Sequence, residues 1–366
     1  MSDYLIIDWV SSGHRIDYLN EIEKFLVKNN KKAILFFPKT KLKKYKNIKK
    51  IFFRSNYNFT GSVYDKIILK FFLLKKIKKY IREDTKIIFL HLDSTLLVLL
   101  LFKIFYLFKS SNISGILMRP ELHYLKYFNI KIKLNTYIKF VLKDLLIKYL
   151  LKLKVKILSL DYKYCEYKKK RVSYIEDFIP IDKTSKSLPQ YIPKDWIRSK
   201  NRILAFGFMD DKRKGMNELI ECLHKLNMNK TSILIVGKIE KKLLKKLNLA
   251  KKKYFNLNII NRYVCLEDLS KIIYNSDKII ATYINFSGVS NVFNWAKCFS
   301  KTIIVSNYGM MGFEAKKYNK SIIINKINSY NLSKSIEKNN YKRNLKKKFT
   351  INNVAKNNFS EKLLNH

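Results

Sequence analysis

Two stretches of this chain set small and basic residues where apolar runs end. In NRILAFGFMDDKRKG, the run Arg202 to Phe206 is followed by Gly207 and then by Arg213, Lys214 and Gly215. In KIIATYINFSGVSN, the run Lys278 to Thr282 is followed by Ser287, Gly288, Val289 and Ser290, leading into a helix-like segment. A strand, a glycine turn and a helix start make an anion site, because unpaired backbone N–H groups and the helix dipole face whatever docks there. Two such turns with a cationic pair beside them suit a ligand that carries a diphosphate.

The first half offers a sparser set. Gly13-His14-Arg15 follows the apolar run Asp3 to Val10, His91 and Asp93 close the run Lys86 to Leu92, and Arg119 and Glu121 follow Ile113 to Met118. A histidine at a strand end can carry a proton to or from a substrate, although it is more often structural. His91 and His14 are the catalytic candidates, with Gly13, Arg119 and Glu121 as contacts to a second substrate.

These positions need a scaffold that gathers strand ends. Short runs rich in Ile, Leu and Val alternate with helix-like segments in both halves, the pattern of parallel sheets with crossover helices. In the second half the runs are Arg202 to Phe206, Ser232 to Val236, Asn256 to Ile260, Lys278 to Thr282 and Thr302 to Ser306. Open sheets of this kind bind ligands outside the carboxyl ends of their strands. The fold class read from the sequence is α/β, with two Rossmann-like domains facing a cleft. Residues 1–180 form the first domain, 181–200 a linker punctuated by Pro189 and Pro193, and 201–345 the second domain. The tail 346–366 is expected to be helical and to pack back on the first domain.

Composition narrows the classes. A 47% hydrophobic content with 14% aromatics excludes a largely disordered chain. The net charge of +47 comes from 65 lysines and only ten arginines. Part of that excess reads as solvated lysine, and part as attraction to a polyanion. The scarcity of arginine weakens the case for specific nucleic-acid reading. Cys165, Cys222, Cys265 and Cys298 lack any paired spacing and read as reduced thiols, and no Asp-x-Asp pair is suited to a metal. The opening MSDYLIIDWV reads as a strand, so no signal peptide is expected, and Thr95 to Phe108 is too short to span a bilayer. Lys131 to Leu153 sets lysines among leucines and isoleucines. It reads either as a surface helix with snorkelling lysines or as a face that lies on an anionic membrane.

With these residues in view, the chain resembles the GT-B glycosyltransferases, in particular retaining enzymes of glycosyltransferase family 4 (group 1) that build bacterial surface polysaccharides. The likeness is best over Arg202 to Ile324 and weaker but colinear in the first half. The family's Gly-Arg turn followed by Lys-Gly resembles FGFMDDKRKG, with Lys214-Gly215 in place. Phe208 stands where the family has arginine, and Arg213 is available instead. The resemblance implies that Gly207, Arg213, Lys214 and Gly215 hold the donor diphosphate, and that Arg262 to Val264 lie near the base. It implies that Gly13 and His14 face donor phosphate and acceptor, and that His91 lies near the sugar. The donor loop departs from the family pattern: Ser287 and Trp295 occupy the positions of its two glutamates. Ser287, Gly288, Val289 and Ser290 retain the means to cradle a phosphate through backbone amides.

The implied activity is transfer of a sugar, of the hexosyl class, from a nucleotide-sugar to a glycan or lipid-linked acceptor, retaining and metal-independent, with no cofactor. The expected place is the cytoplasm, with peripheral contact at the inner face of an anionic plasma membrane. Three rivals stay open: another GT-B activity such as an epimerase or inverting transferase, a degenerate domain that binds nucleotide-sugar or glycan without turnover, and a basic membrane- or nucleic-acid-binding protein.

Overall fold

The computed structural model describes residues 3–9, 14–38, 46–53, 63–104, 112–128, 133–181, 185, 187–210, 212–288, 290–338 and 353–365. The chain divides into two compact units, Met1–Phe178 with Val354–His366, and Ile179–Asn353.

The first unit opens with β1 (Tyr4–Ile7), α1 (His14–Lys28), β2 (Ala33–Pro38), β3 (Ile48–Phe53) and α2 (Val63–Ile77). There follow β4 (Lys86–Phe89), α3 (Leu96–Ile104), β5 (Ile113–Leu117), α4 (Leu122–Phe128) and α5 (Leu134–Lys152). It continues with β6 (Lys156–Ser159), α6 (Tyr162–Tyr167) and β7 (Ser173–Tyr174). These strands form one parallel sheet in the order β3-β2-β1-β4-β5-β6-β7. Every residue of YLII in β1 and AILFFP in β2 is buried, as a sheet covered on both faces requires. One face packs Ile34, Phe36, Phe89 and Phe102 together; the other packs Leu19, Ile22, Leu35 and Ile88.

The second unit holds α7 (Lys194–Arg198), β8 (Asn201–Phe206), α8 (Met216–Cys222), β9 (Thr231–Val236) and α9 (Lys241–Lys253). After these come β10 (Leu257–Ile260), α10 (Leu266–Asn275), β11 (Lys278–Ala281), α11 (Asn291–Cys298) and β12 (Thr302–Ser306). It closes with α12 (Gly309–Lys317), β13 (Ser321–Ile324) and α13 (Ser329–Glu337). Its sheet is also parallel, in the order β10-β9-β8-β11-β12-β13. Local chemistry fixes several ends. Asn328 caps α13 by accepting the Asn331 N–H at 2.8 Å, and Glu267 and Asp268 favour the first turn of α10. Ser300 ends α11 in the left-handed region at φ 52°.

In both sheets the strand order reverses beside the first strand, so β1/β4 and β8/β11 are switch points, where the crossover helices part to opposite faces. The described candidate residues after β8 and β11 therefore share one crevice, as do Arg15 and His91 after β1 and β4.

One expectation needs correction. Residues 181–200 are not a linker: Ile181, Ile192 and Trp196 are buried in the second unit's core. Trp196 also donates its indole N–H to the Ile203 carbonyl at 3.1 Å. The prolines there shape a packed segment whose apolar side chains outweigh its polar composition. The tail forms α14 (Asn353–Asn365) and belongs to the first unit. Phe359 lies 4.8 Å from the Tyr18 ring and 4.9 Å from the Phe178 ring, with Leu363 and Leu364 buried beside it.

Candidate functional site

In the second unit, β8 and β9 end in facing glycines. Gly207 donates its N–H to the Val236 carbonyl at 2.9 Å, and Gly237 holds φ at +134°. A Cβ on Gly237 would lie 2.0 Å from the Gly207 carbonyl oxygen, so only glycine permits that approach. Lys214 turns back over this glycine end. Its ammonium is buried, donates to the Phe206 carbonyl at 2.9 Å and lies 5.4 Å from the centre of the Tyr283 ring. Gly215 follows at φ 63° as the residue preceding α8, packed against Thr282.

Arg213 stands beside Lys214 and is held on three sides. Its guanidinium meets the Asp210 carboxylate at 3.2 Å and stacks 5.5 Å from the Phe286 ring and 6.0 Å from the Tyr283 ring. Its carbonyl accepts the Ile284 N–H at 2.7 Å, so the β8 and β11 loops are joined by backbone as well as side chain.

The β11 loop carries the other half. Ser290 caps α11, its Oγ accepting the Val292 N–H at 3.4 Å while sharing a 2.6 Å hydrogen bond with the Tyr283 hydroxyl. The Ser287 carbonyl accepts the Met310 N–H at 2.8 Å, and Gly288 packs against the Phe286 ring. Val289 lies outside the described residues. The structure thus gathers Gly207, Arg213, Lys214, Gly215, Ser287, Gly288 and Ser290 around one switch point. Two cations, a hydroxyl pair and a helix start there suit phosphate oxygens.

Arg262 and Val264 follow β10, on the far side of β9 from β8. The Arg262 guanidinium stacks 4.1 Å from the centre of the Tyr191 ring, whose hydroxyl donates to Asp268 at 2.9 Å. Val264 is buried in the core. Trp295, at the second glutamate position of the family pattern, is buried too, 6.3 Å from the Phe206 ring and 5.8 Å from the Phe299 ring.

In the first unit, Asp93 is the hub after β4. It accepts the Met118 N–H at 2.6 Å, the Arg119 N–H at 3.0 Å and the Lys143 ammonium at 2.8 Å. Lys143, on α5, also bonds the Arg119 carbonyl and reaches Glu121 at 3.1 Å. Burial works against the Asp93 carboxylate, yet Lys143 and the donated N–H hold its pKa below the usual value. Burial likewise opposes the Lys143 charge, and Asp93 and Glu121 override it to push that pKa up. Arg119 and Glu121 are therefore locked to the end of β4 by a half-buried cluster of Lys143 with Asp93 and Glu121.

His91 Nδ1 lies 2.9 Å from the Ser94 hydroxyl, and Nε2 lies 3.9 Å from Asp93. Burial, followed by the nearby Arg15 charge, pushes its pKa down to about 3, so the imidazole is neutral at physiological pH. Arg15 meets Asp8, at the end of β1, at 3.1 Å. The Trp9 indole N–H donates to Thr95 at 2.9 Å, and the Thr95 hydroxyl donates to the His91 carbonyl at 3.0 Å. Gly13 and the His14 side chain lie outside the described residues; His14 begins α1.

Sequence reasoning did not single out Tyr283, Phe286, Tyr191, Lys143 or Asp8. Tyr283 and Asp8 could have been found as polar or aromatic residues just past strand ends. Lys143 could not, being one lysine among many until α5 is docked.

No protein-family model matches this sequence, and no curated protein matches it either. Its fold has counterparts among solved structures. WaaG, a glycosyltransferase involved in lipopolysaccharide biosynthesis, is 12% identical with a TM-score of 0.59, over 91% of this chain and 90% of WaaG. The α,α-trehalose 6-phosphate synthase from Burkholderia multivorans is 11% identical with a TM-score of 0.63, over 99% of this chain and 93% of the synthase. The E. coli trehalose-6-phosphate structure bound with UDP-2-fluoro glucose is 14% identical with a TM-score of 0.58, over 99% of this chain and 95% of that one. The α/β architecture of two parallel sheets is thus that of the GT-B glycosyltransferases.

Proposed function

We propose that this protein is a glycosyltransferase that moves a hexosyl group from a nucleotide-sugar to an acceptor hydroxyl. The observation that carries the reading is the convergence of Lys214, Arg213 and the capped start of α11 on the β8/β11 switch point, within a fold shared with nucleotide-sugar enzymes. Phosphate oxygens displaced from the donor gain most from fixed cations and backbone N–H groups as their charge develops. In this reading Lys214 and Arg213 stabilise the leaving diphosphate without a metal, and Arg213 exchanges part of its Asp210 contact for phosphate. The Arg262–Tyr191 stack offers a flat surface for the base. The reading assigns acceptor contacts to His91, His14, Gly13, Arg119 and Glu121, with His91 serving as a neutral hydrogen-bonding group. Retention of anomeric configuration, a glycan or lipid-linked acceptor in cell-surface polysaccharide synthesis, and action at the cytoplasmic face of the membrane complete the proposal.

A second reading is favoured by the donor loop. Ser287 and Trp295 bring no carboxylate, and Trp295 is committed to the core. A protein that binds nucleotide-sugar without turnover fits that observation.

One experiment separates them. The purified protein is melted with UDP, GDP, dTDP, CDP or ADP, and the stabilising nucleotide's sugar conjugates are then incubated with it and assayed for released nucleotide and anomeric product. Stabilisation with release and a retained anomer supports the transferase. Stabilisation without release selects the binding protein, and no response to any nucleotide overturns both.

A further inference from the structure

We infer that the exposed face of α5 is a docking surface for an anionic lipid bilayer. The inference rests on the membrane placement within the proposed function and deepens it by naming the surface that makes the contact; its vesicle test reads lipid binding alone, so its failure leaves sugar transfer untouched.

Helix α5 has two apolar faces and spends one of them on the fold. Ile147 and Leu150 are buried in the first unit's core, together with Asp144. Leu134, Ile138, Leu142, Leu145, Tyr149 and Leu153 form the other face, between 37% and 71% exposed. Their spacing of four, four, three, four and four residues keeps them in one stripe along the helix. A helix of 19 residues runs roughly 28 Å, so the stripe is long and unbroken. Scattered apolar side chains on a surface need no explanation, but a contiguous one of this length does.

The charges beside the stripe select its occupant. Lys133, Lys139, Lys148, Lys152 and Lys154 are all exposed around it. The helix's acidic residue, Asp144, is buried, with Lys168 at 2.5 Å and the rim's own Lys148 at 3.6 Å, so α5 presents no exposed carboxylate. The rim is therefore of one sign. A second copy laid along the same stripe would set lysine against lysine, whereas lipid phosphates neutralise the rim while the acyl boundary takes up the leucines. Tyr137 and Tyr149, both exposed, have the amphipathic rings that settle at headgroup depth. Among the described residues no helix is long and apolar enough to cross a membrane, so α5 would lie on the surface. The same helix supplies Lys143 to Asp93 and Glu121, so the element that meets lipid is the one that fixes the Arg119–Glu121 segment.

The test is co-sedimentation of the full chain with vesicles of phosphatidylcholine alone and of phosphatidylcholine with phosphatidylglycerol. The parent protein is compared with a Leu142→Glu/Leu145→Glu/Tyr149→Glu variant and a Lys139→Glu/Lys148→Glu/Lys152→Glu variant, each checked for an unchanged melting temperature. The expected result is binding to the anionic vesicles that falls at least about tenfold in both variants. Anionic-vesicle binding unaffected by either variant would overturn the proposal by assigning the attraction to other lysines. A concentration-dependent dimer by sedimentation velocity, abolished in the leucine variant, would overturn it in favour of a second copy of the chain.

Discussion

The Tyr283 phenol and the Ser290 hydroxyl share a 2.6 Å hydrogen bond that ties the end of β11 to the cap of α11. The bond spans the loop whose first acidic position is taken by Ser287, so polar order there comes from hydroxyls in place of carboxylates. Ser290→Ala removes both this bond and the cap on the Val292 N–H, at a cost of about 1 kcal/mol in urea unfolding. Tyr283→Phe keeps the cap and is expected to cost less. Equal losses in the two variants would show that the cap contributes nothing.

Lys214→Ala tests the diphosphate reading. A charged hydrogen bond to phosphate contributes about 1.5–3 kcal/mol, so nucleotide affinity should fall roughly 10- to 100-fold by calorimetric titration. The same substitution leaves the Phe206 carbonyl without its Lys214 donor, so the variant's melting temperature is measured without ligand for reference. Unchanged affinity in a folded variant would place the diphosphate elsewhere.

Trp295→Glu restores the family's second glutamate and is expected to damage the protein. Trp295 is buried against Phe206 and Phe299, and a carboxylate placed there loses both the aromatic packing and its hydration. A loss of about 3–5 kcal/mol is expected by chemical denaturation. A stable variant with raised transfer activity would mean that position 295 faces the donor.

Acid stability reports on His91 and Asp93. The folded pKa of His91, at about 3, lies below the ordinary 6.5, so the unfolded chain binds more protons between those values. Stability therefore falls as pH drops below about 6.5, and the loss from this group is complete near pH 3. At pH 5 the imidazole accounts for about 2 kcal/mol of that loss. Asp93 acts in the same direction at lower pH, because a carboxylate held below its usual pKa loses its stabilisation as it protonates. His91→Gln should remove about 2 kcal/mol of the difference in unfolding free energy between pH 7 and pH 5. An unaltered difference would show that His91 titrates normally in the folded state.

Much of the scaffold was legible in the chain because parallel strands buried on both faces must be continuous apolar runs, as YLII and TSILIV are. Their alternation with helices, and the Gly207, Lys214 and Ser290 positions at strand ends, follow from sequence order alone once the sheet is parallel. What the sequence could not decide depended on contacts between distant residues. The proline-bearing 181–200 stretch has the composition of a linker, and only its packing into the second unit's core makes Trp196 a buried residue. Lys143 becomes the partner of Asp93 only when α5 docks across strand ends 50 residues away. His91 becomes a weak base only when burial and Arg15 act on it together. Periodicity and strand-end chemistry are local and can be read directly; burial and electrostatic environment are properties of the packed chain.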